Sequence, residues 1–111
     1  MHNTLSLCEN YEFKRVYKRG KSVAADLLVL YYLKNRQNVN RLGITVTKKL
    51  GKAVVRNRAR RLIKEAFRLS EHKVSIGYDI VIVARNKIVD RSHLAEVKRA
   101  LDYALRTSGL S

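Results

Sequence analysis

The sequence predicts one α+β domain over residues 1–111, a small mixed sheet packed with helices in the order α-β-β-β-α-β-α. Three observations carry this. Apolar and small residues alternate from Arg41 to Thr47, the period of a half-buried strand. Apolar residues then recur at helical spacing over residues 52–71. A β-branched run, Tyr78 to Ala84, is followed by a second helical stripe. A chain of 111 residues has room for one full core.

Each element has its own signal. Asn10 reads as the cap of a first helix running to Arg19, with Phe13, Val16 and Tyr17 on one face and Gly20 at its stop. Lys21 to Ala24 is a short strand. Leu27 to Leu33 is apolar throughout, which predicts a strand covered on both faces. Asn35 to Asn40 is a polar loop. In the next strand Leu42, Ile44 and Val46 share one face, and Gly43, Thr45 and Thr47 the other. Gly51 breaks the pattern before a long helix, Lys52 to Glu71. Its inward stripe is Val55, Ala59, Leu62, Ala66 and Leu69, widened by Ile63 and Phe67. Ser92 is the predicted cap of the last helix, with Leu94, Val97, Leu101 and Leu105 inward and the pairs Lys98/Asp102 and Asp102/Arg106 on its surface.

Composition narrows the function. Lys and Arg number 24 against 9 Asp and Glu, a formal net charge of +15. Such an excess repels itself, and a polyanion offsets it. The charge is concentrated. Lys48, Lys49, Lys52, Arg56, Arg58, Arg60, Arg61 and Lys64 place eight cations within seventeen residues, with no acid before Glu65. On a helical wheel Arg60, Lys64 and Arg68 form one column flanked by Asn57 and Arg61, while Arg56 and Lys52 border the apolar stripe. Glu65 is placed away from this face. Like charges at this spacing destabilise an isolated helix by roughly 0.2–0.5 kcal/mol each, so their retention without acids points to phosphates. Tyr31 and Tyr32 lie on opposite faces of one strand, and sheet-borne aromatics beside cations can stack unpaired bases. Tyr32 reads as core, and Tyr11, Tyr78 and Tyr103 as packing residues.

Other classes are disfavoured. The one cysteine, Cys8, reads as a buried or semi-buried filler. No apolar run exceeds the seven residues Leu27 to Leu33, too short for a membrane span, and the N-terminus lacks a secretory pattern. The chain therefore reads as cytoplasmic, with no membrane partner. Gly43 to Lys52 only faintly resembles a phosphate loop, because the spacing is long and Ala53 stands where Ser or Thr is needed. His2, His72 and His93 are scattered, and no carboxylates cluster, so no catalytic residue and no metal ligand is assigned. A DNA-reading module needs a recognition helix with a partner helix a short turn away, and the long helix here lies between strands, so no DNA partner is assigned.

The run Lys48-Lys49-Leu50-Gly51-Lys52-Ala53-Val54-Val55-Arg56-Asn57-Arg58 resembles the signature of the bacterial ribonuclease P protein subunit. Arg60 to Arg68, Phe13 to Ser22 and Tyr78 to Arg85 extend the resemblance over nearly the whole chain. It implies a left-handed β-α-β crossover, against the usual right-handed rule. It implies a partner role beside a catalytic RNA that removes the 5′ leader of precursor tRNA, with Mg²⁺ on the RNA and substrate and none assigned to the protein. By position it assigns RNA binding to Arg56, Asn57 and Arg58, with Lys48, Lys49, Lys52, Arg60, Arg61, Lys64 and Arg68 nearby. It assigns a leader cleft to Phe13, Tyr17, Tyr31 and Arg56.

Overall fold

The computed structural model describes residues 4–89 and 93–111. Its elements are β1 (Thr4–Ser6), α1 (Asn10–Arg19), β2 (Lys21–Ala24), β3 (Leu28–Lys34), β4 (Asn40–Thr45), α2 (Ala53–Ser70), β5 (Tyr78–Ala84) and α3 (Leu94–Ser108). Short 3₁₀ turns at Lys48–Leu50, Glu71–Lys73 and Asn86–Val89 link them. The predicted helices and strands all form. The sequence reading missed β1, whose three residues are too few for a period and are held by pairing with β4. Ser92 and His2 lie outside the described residues.

The five strands form one mixed sheet in the order β1-β4-β5-β3-β2. β4 and β5 are parallel neighbours joined through α2, the β-α-β unit the resemblance singles out. β3 runs antiparallel to both β5 and β2. The faces alternate as predicted. Leu28, Leu30, Leu42, Val46, Ile80 and Ile82 pack with α2 and α3 into the main core. Val81, Tyr31, Leu33 and Val83 face the other way and meet Val16 and Phe13 of α1. The first face is the better covered of the two. One ten-residue helix cannot cover the second, so Val29, Tyr31 and Leu33 stay half-buried, where a strand buried on both faces was expected.

Four local expectations are corrected. The cap of α1 is Glu9, one residue before Asn10; the Glu12 side chain reaches back to accept the Glu9 backbone N–H at 3.1 Å. The buried face of α2 is Ala59, Ile63, Ala66, Phe67 and Ser70, a rotation that leaves Leu69 exposed. Burial of Ile63, Ala66 and Phe67 in the main core sets it, and at its end Ser70 donates to Asp102 Oδ1 of α3 at 2.8 Å. Asp102 also accepts from Lys98 at 2.8 Å rather than pairing with Arg106. Cys8, in the link between β1 and α1, is exposed, and so are Tyr11 and Tyr103, which fall on the solvent sides of α1 and α3.

Gly20 stops α1 as expected, with an extended backbone. Its glycine is required by space. A Cβ there would stand 2.5 Å from the Val16 carbonyl oxygen and 2.7 Å from that of Tyr32. Both are backbone atoms and cannot swing aside. Gly20→Ala is expected to cost about 1–3 kcal/mol, read as a fall of several degrees in Tm; an unchanged Tm would refute this account of the α1–β3 junction.

Candidate nucleic-acid interface

The basic segment is presented along one exposed ridge. Lys48 and Lys49 sit on the 3₁₀ turn, Lys52 caps α2, and Asn57, Arg58, Arg60, Arg61, Lys64 and Arg68 project from the helix into solvent. Burial of the Ala59–Ile63–Phe67 side against the sheet forces this, because the remaining positions have no apolar partner. From Lys48 to Lys64 no ion pair forms among the described residues; Arg60 instead donates to Asn57 Oδ1 at 2.9 Å. Arg56 falls on the inward border, half-buried, and its Nε is buried without a hydrogen-bond partner. Glu65 does not lie apart from the column, as the sequence reading had it: one turn of helix brings it against Arg68.

The aromatic residues lie on the opposite face of the sheet, under and beside α1. The Phe13 ring rests on Gly43, where a Cβ would approach Cε1 and Cζ to 2.5 Å. Any larger residue at 43 displaces this ring. Tyr17 stands edge-on to Tyr31, ring centroids 4.9 Å apart, and its hydroxyl lies 2.7 Å from Thr45 Oγ1. Tyr17 is 38% exposed, so an aromatic edge is open to a ligand. The structure thus brings Phe13, Tyr17 and Tyr31 together along the junction of α1 with the sheet. At the open edge of β4, a cavity beside Phe13 and Gly43 is walled by Arg60 and Lys64. These two, rather than Arg56, are the cations brought to the Phe13 end. Tyr32 turns to the main core and meets Tyr78, centroids 6.3 Å apart, which matches its reading as a core residue.

A cluster that the sequence reading did not find holds this groove in place. Arg41 donates to Asp79 through Nε at 2.8 Å and Nη2 at 2.6 Å, and pairs with Glu12 of α1 through Nη1. Asn35 donates to Asp79 at 3.0 Å, and Arg15 approaches it at 3.6 Å. Burial pushes the Asp79 carboxyl up, but the Arg41 and Asn35 hydrogen bonds outweigh it and hold the group below the usual carboxylate range. The Glu9 backbone N–H, with help from Arg41, holds Glu12 down as well against burial. The signal was present in sequence: Arg41 and Asp79 occupy positions whose strand period points them at α1, where a lone charge is costly.

Comparison with known proteins agrees with this geometry. A family model described as Ribonuclease P matches residues 1–108. The ribonuclease P protein components of Clostridium botulinum and Clostridium kluyveri are 50% identical over 103 residues and 51% over 104, covering 92% of each chain in both cases. The RNase P protein structure from Staphylococcus aureus superposes with a TM-score of 0.86 at 34% identity, covering 95% of both chains. That from Thermotoga maritima superposes at 0.81 and 33% identity, covering 88% of this chain and 92% of the other. On the family-model match over residues 1–108 and these relatives, the chain belongs to the ribonuclease P protein family.

Proposed function

We propose that this protein is the RNA-binding subunit of a tRNA-maturing ribonuclease P, holding a catalytic RNA on α2 and the single-stranded leader of precursor tRNA in the α1 groove. The observation that carries it is the ridge from Lys48 to Lys64, exposed and free of acidic partners among the described residues. Phosphates replace the missing carboxylates there, with release of counterions. The groove adds stacking faces for unpaired bases and reads little sequence.

The protein's part is binding and orientation. Among the described residues no His, Cys, Asp and Glu side chains gather as a metal set, and Asp79 and Glu12 are committed to Arg41. Magnesium is assigned to the RNA component and the substrate, where it supplies the hydrolytic chemistry. The protein's cations reduce repulsion between crowded phosphates and so lower the magnesium the complex needs.

Reconstitution with a catalytic RNA at low Mg²⁺ tests this, scoring 5′ cleavage and affinity for precursor and mature tRNA. Protein plus RNA should cleave and protein alone should not. Tyr17→Ala should weaken precursor binding by about 1–3 kcal/mol, the worth of one stacked base, and leave mature tRNA unchanged. Tyr31→Ala should do the same with an added loss of Tm, since Tyr31 also packs against Val81 and Val16. Equal losses for both ligands would make the tyrosines packing residues and move the leader elsewhere.

A further inference from the structure

The α1 helix divides its face of the sheet into two troughs. It runs from Phe13 over β4, past Val16 over β5, to Gly20 against β3. Tyr17 points to the side of Thr45, which is level with Val83 and Val29. Glu12 and Arg15 point to the other side, where Arg41, Asp79 and Leu33 are level. On that far side lies a depression of about 470 Å³ whose charged lining is Arg15, Arg19, Lys34, Arg36, Arg41 and Asp79.

Its charge is unbalanced. Asp79 is the one acid in the lining, and Arg41 occupies both of its oxygens. Arg19, Lys34 and Arg36 are exposed and make no ion pair with a described residue. The loop carrying Arg36 is fixed: the Asn35 side chain accepts the Gln37 N–H at 2.8 Å and donates to Val39 O at 3.1 Å. Arg36 itself is held at φ 60°, a conformation costly for an arginine. A contrast lies between α3 and residues 24–27. There a depression of about 490 Å³ sets Arg85 and Arg99 beside Asp26 and Glu96, and its charges balance. The two troughs on the α1 face are also connected. Lys14 and Lys18 occupy the exposed outer side of α1, so cations continue over the helix from the aromatic groove to this second depression.

We propose that the Arg15–Arg19–Lys34–Arg36 depression is a second phosphate-binding surface, which takes the backbone of the leader after it has left the aromatic groove and passed over α1. This rests on the leader-binding reading above. The lining holds no aromatic ring, so it reads phosphates and not bases. A strand reaches it only after clearing a helix roughly 10–12 Å across, so its contribution depends on leader length.

The test uses the reconstituted holoenzyme with three RNAs: mature tRNA, a precursor whose leader ends in the aromatic groove, and a precursor with a leader long enough to cross α1. The variant is Arg19→Gln/Lys34→Gln/Arg36→Gln, all at exposed positions, with Arg19→Lys/Arg36→Lys as the charge-retaining control. For the long leader, the slope of log K against log salt should become shallower by about 2, at roughly 0.7 for each of three single-strand phosphate contacts. The short leader and mature tRNA should be unaffected, and the lysine control should behave as wild type. Unchanged binding of the long leader overturns the proposal, as does an equal loss on all three RNAs. Weaker binding of the free variant to the catalytic RNA, with no dependence on leader length, assigns the depression to that RNA and also overturns it. A wild-type holoenzyme that prefers the short-leader precursor to mature tRNA keeps the groove reading intact even if this inference fails.

Discussion

Replacing Arg58, Arg60 and Lys64 together by alanine is expected to weaken binding of the catalytic RNA about a hundredfold at 0.15 M salt. Each lost duplex phosphate contact removes roughly 0.9 from the slope of log K against log salt, so three remove about 2.7. Carried from 1 M to 0.15 M salt, that slope change amounts to about two decades in K. All three side chains are exposed and none is ion-paired with a described residue, so Tm should hold within a few degrees. Arg68 is left out because it already has Glu65 as a partner. Both members of that pair are well exposed, and such pairs contribute about 0–1 kcal/mol. Glu65→Gln should therefore steepen the salt slope by less than one unit by freeing Arg68 for phosphate. Salt titrations of the wild type and both variants decide the matter. Equal slopes for the triple variant and wild type would make the ridge a solvated surface.

Asp79→Ala is expected to lower stability by about 3 kcal/mol, at the lower end of the cost of breaking a buried ion pair because Arg41 keeps Glu12. For a domain with a total of about 5–15 kcal/mol this is a large share. The loss should fall first on α1, which Asp79 holds through Arg15 directly and through Arg41 and Glu12. Affinity for precursor tRNA should drop with it. The same network predicts an acid limb. Asp79 and Glu12 titrate lower in the folded than in the unfolded chain, so the unfolded state takes up protons first. Their stabilisation is complete above about pH 4, where unfolded carboxyls titrate, and is lost as pH falls through the lower folded values. Asp102 adds to the same limb: burial raises it, but Lys98 and Ser70 outweigh that and hold it down. Urea denaturation from neutral pH downward should show a flatter acid limb in Asp79→Asn than in wild type. Parallel limbs would remove Asp79 from this role.

The amino-acid sequence alone determined every helix and every strand but β1. Period-2 alternation at Leu42, Ile44 and Val46 set a strand and its inward face. The acid-free run from Lys48 to Lys64 marked a helix whose cations find no acidic partner nearby, because covalent neighbours cannot be separated by folding. Only the tertiary structure decided what pairs across distance. β1 exists because β4 offers it hydrogen bonds, and the inward face of α2 is rotated because Ile63, Ala66 and Phe67 pack into a core shared with α3. Gly20 is a glycine because two carbonyls from different elements converge on it. Glu12, Arg41 and Asp79 are far apart in sequence, and although the strand period turns Arg41 and Asp79 toward one face, nothing local says that they meet each other and Glu12. Their union, and with it the position of Phe13 and Tyr17 over Gly43 and Thr45, follows from a register that brings β4 beside β5 and lays α1 across both. Local periodicity reports which way a side chain faces. What it meets there depends on contacts across the sheet, which no local window contains.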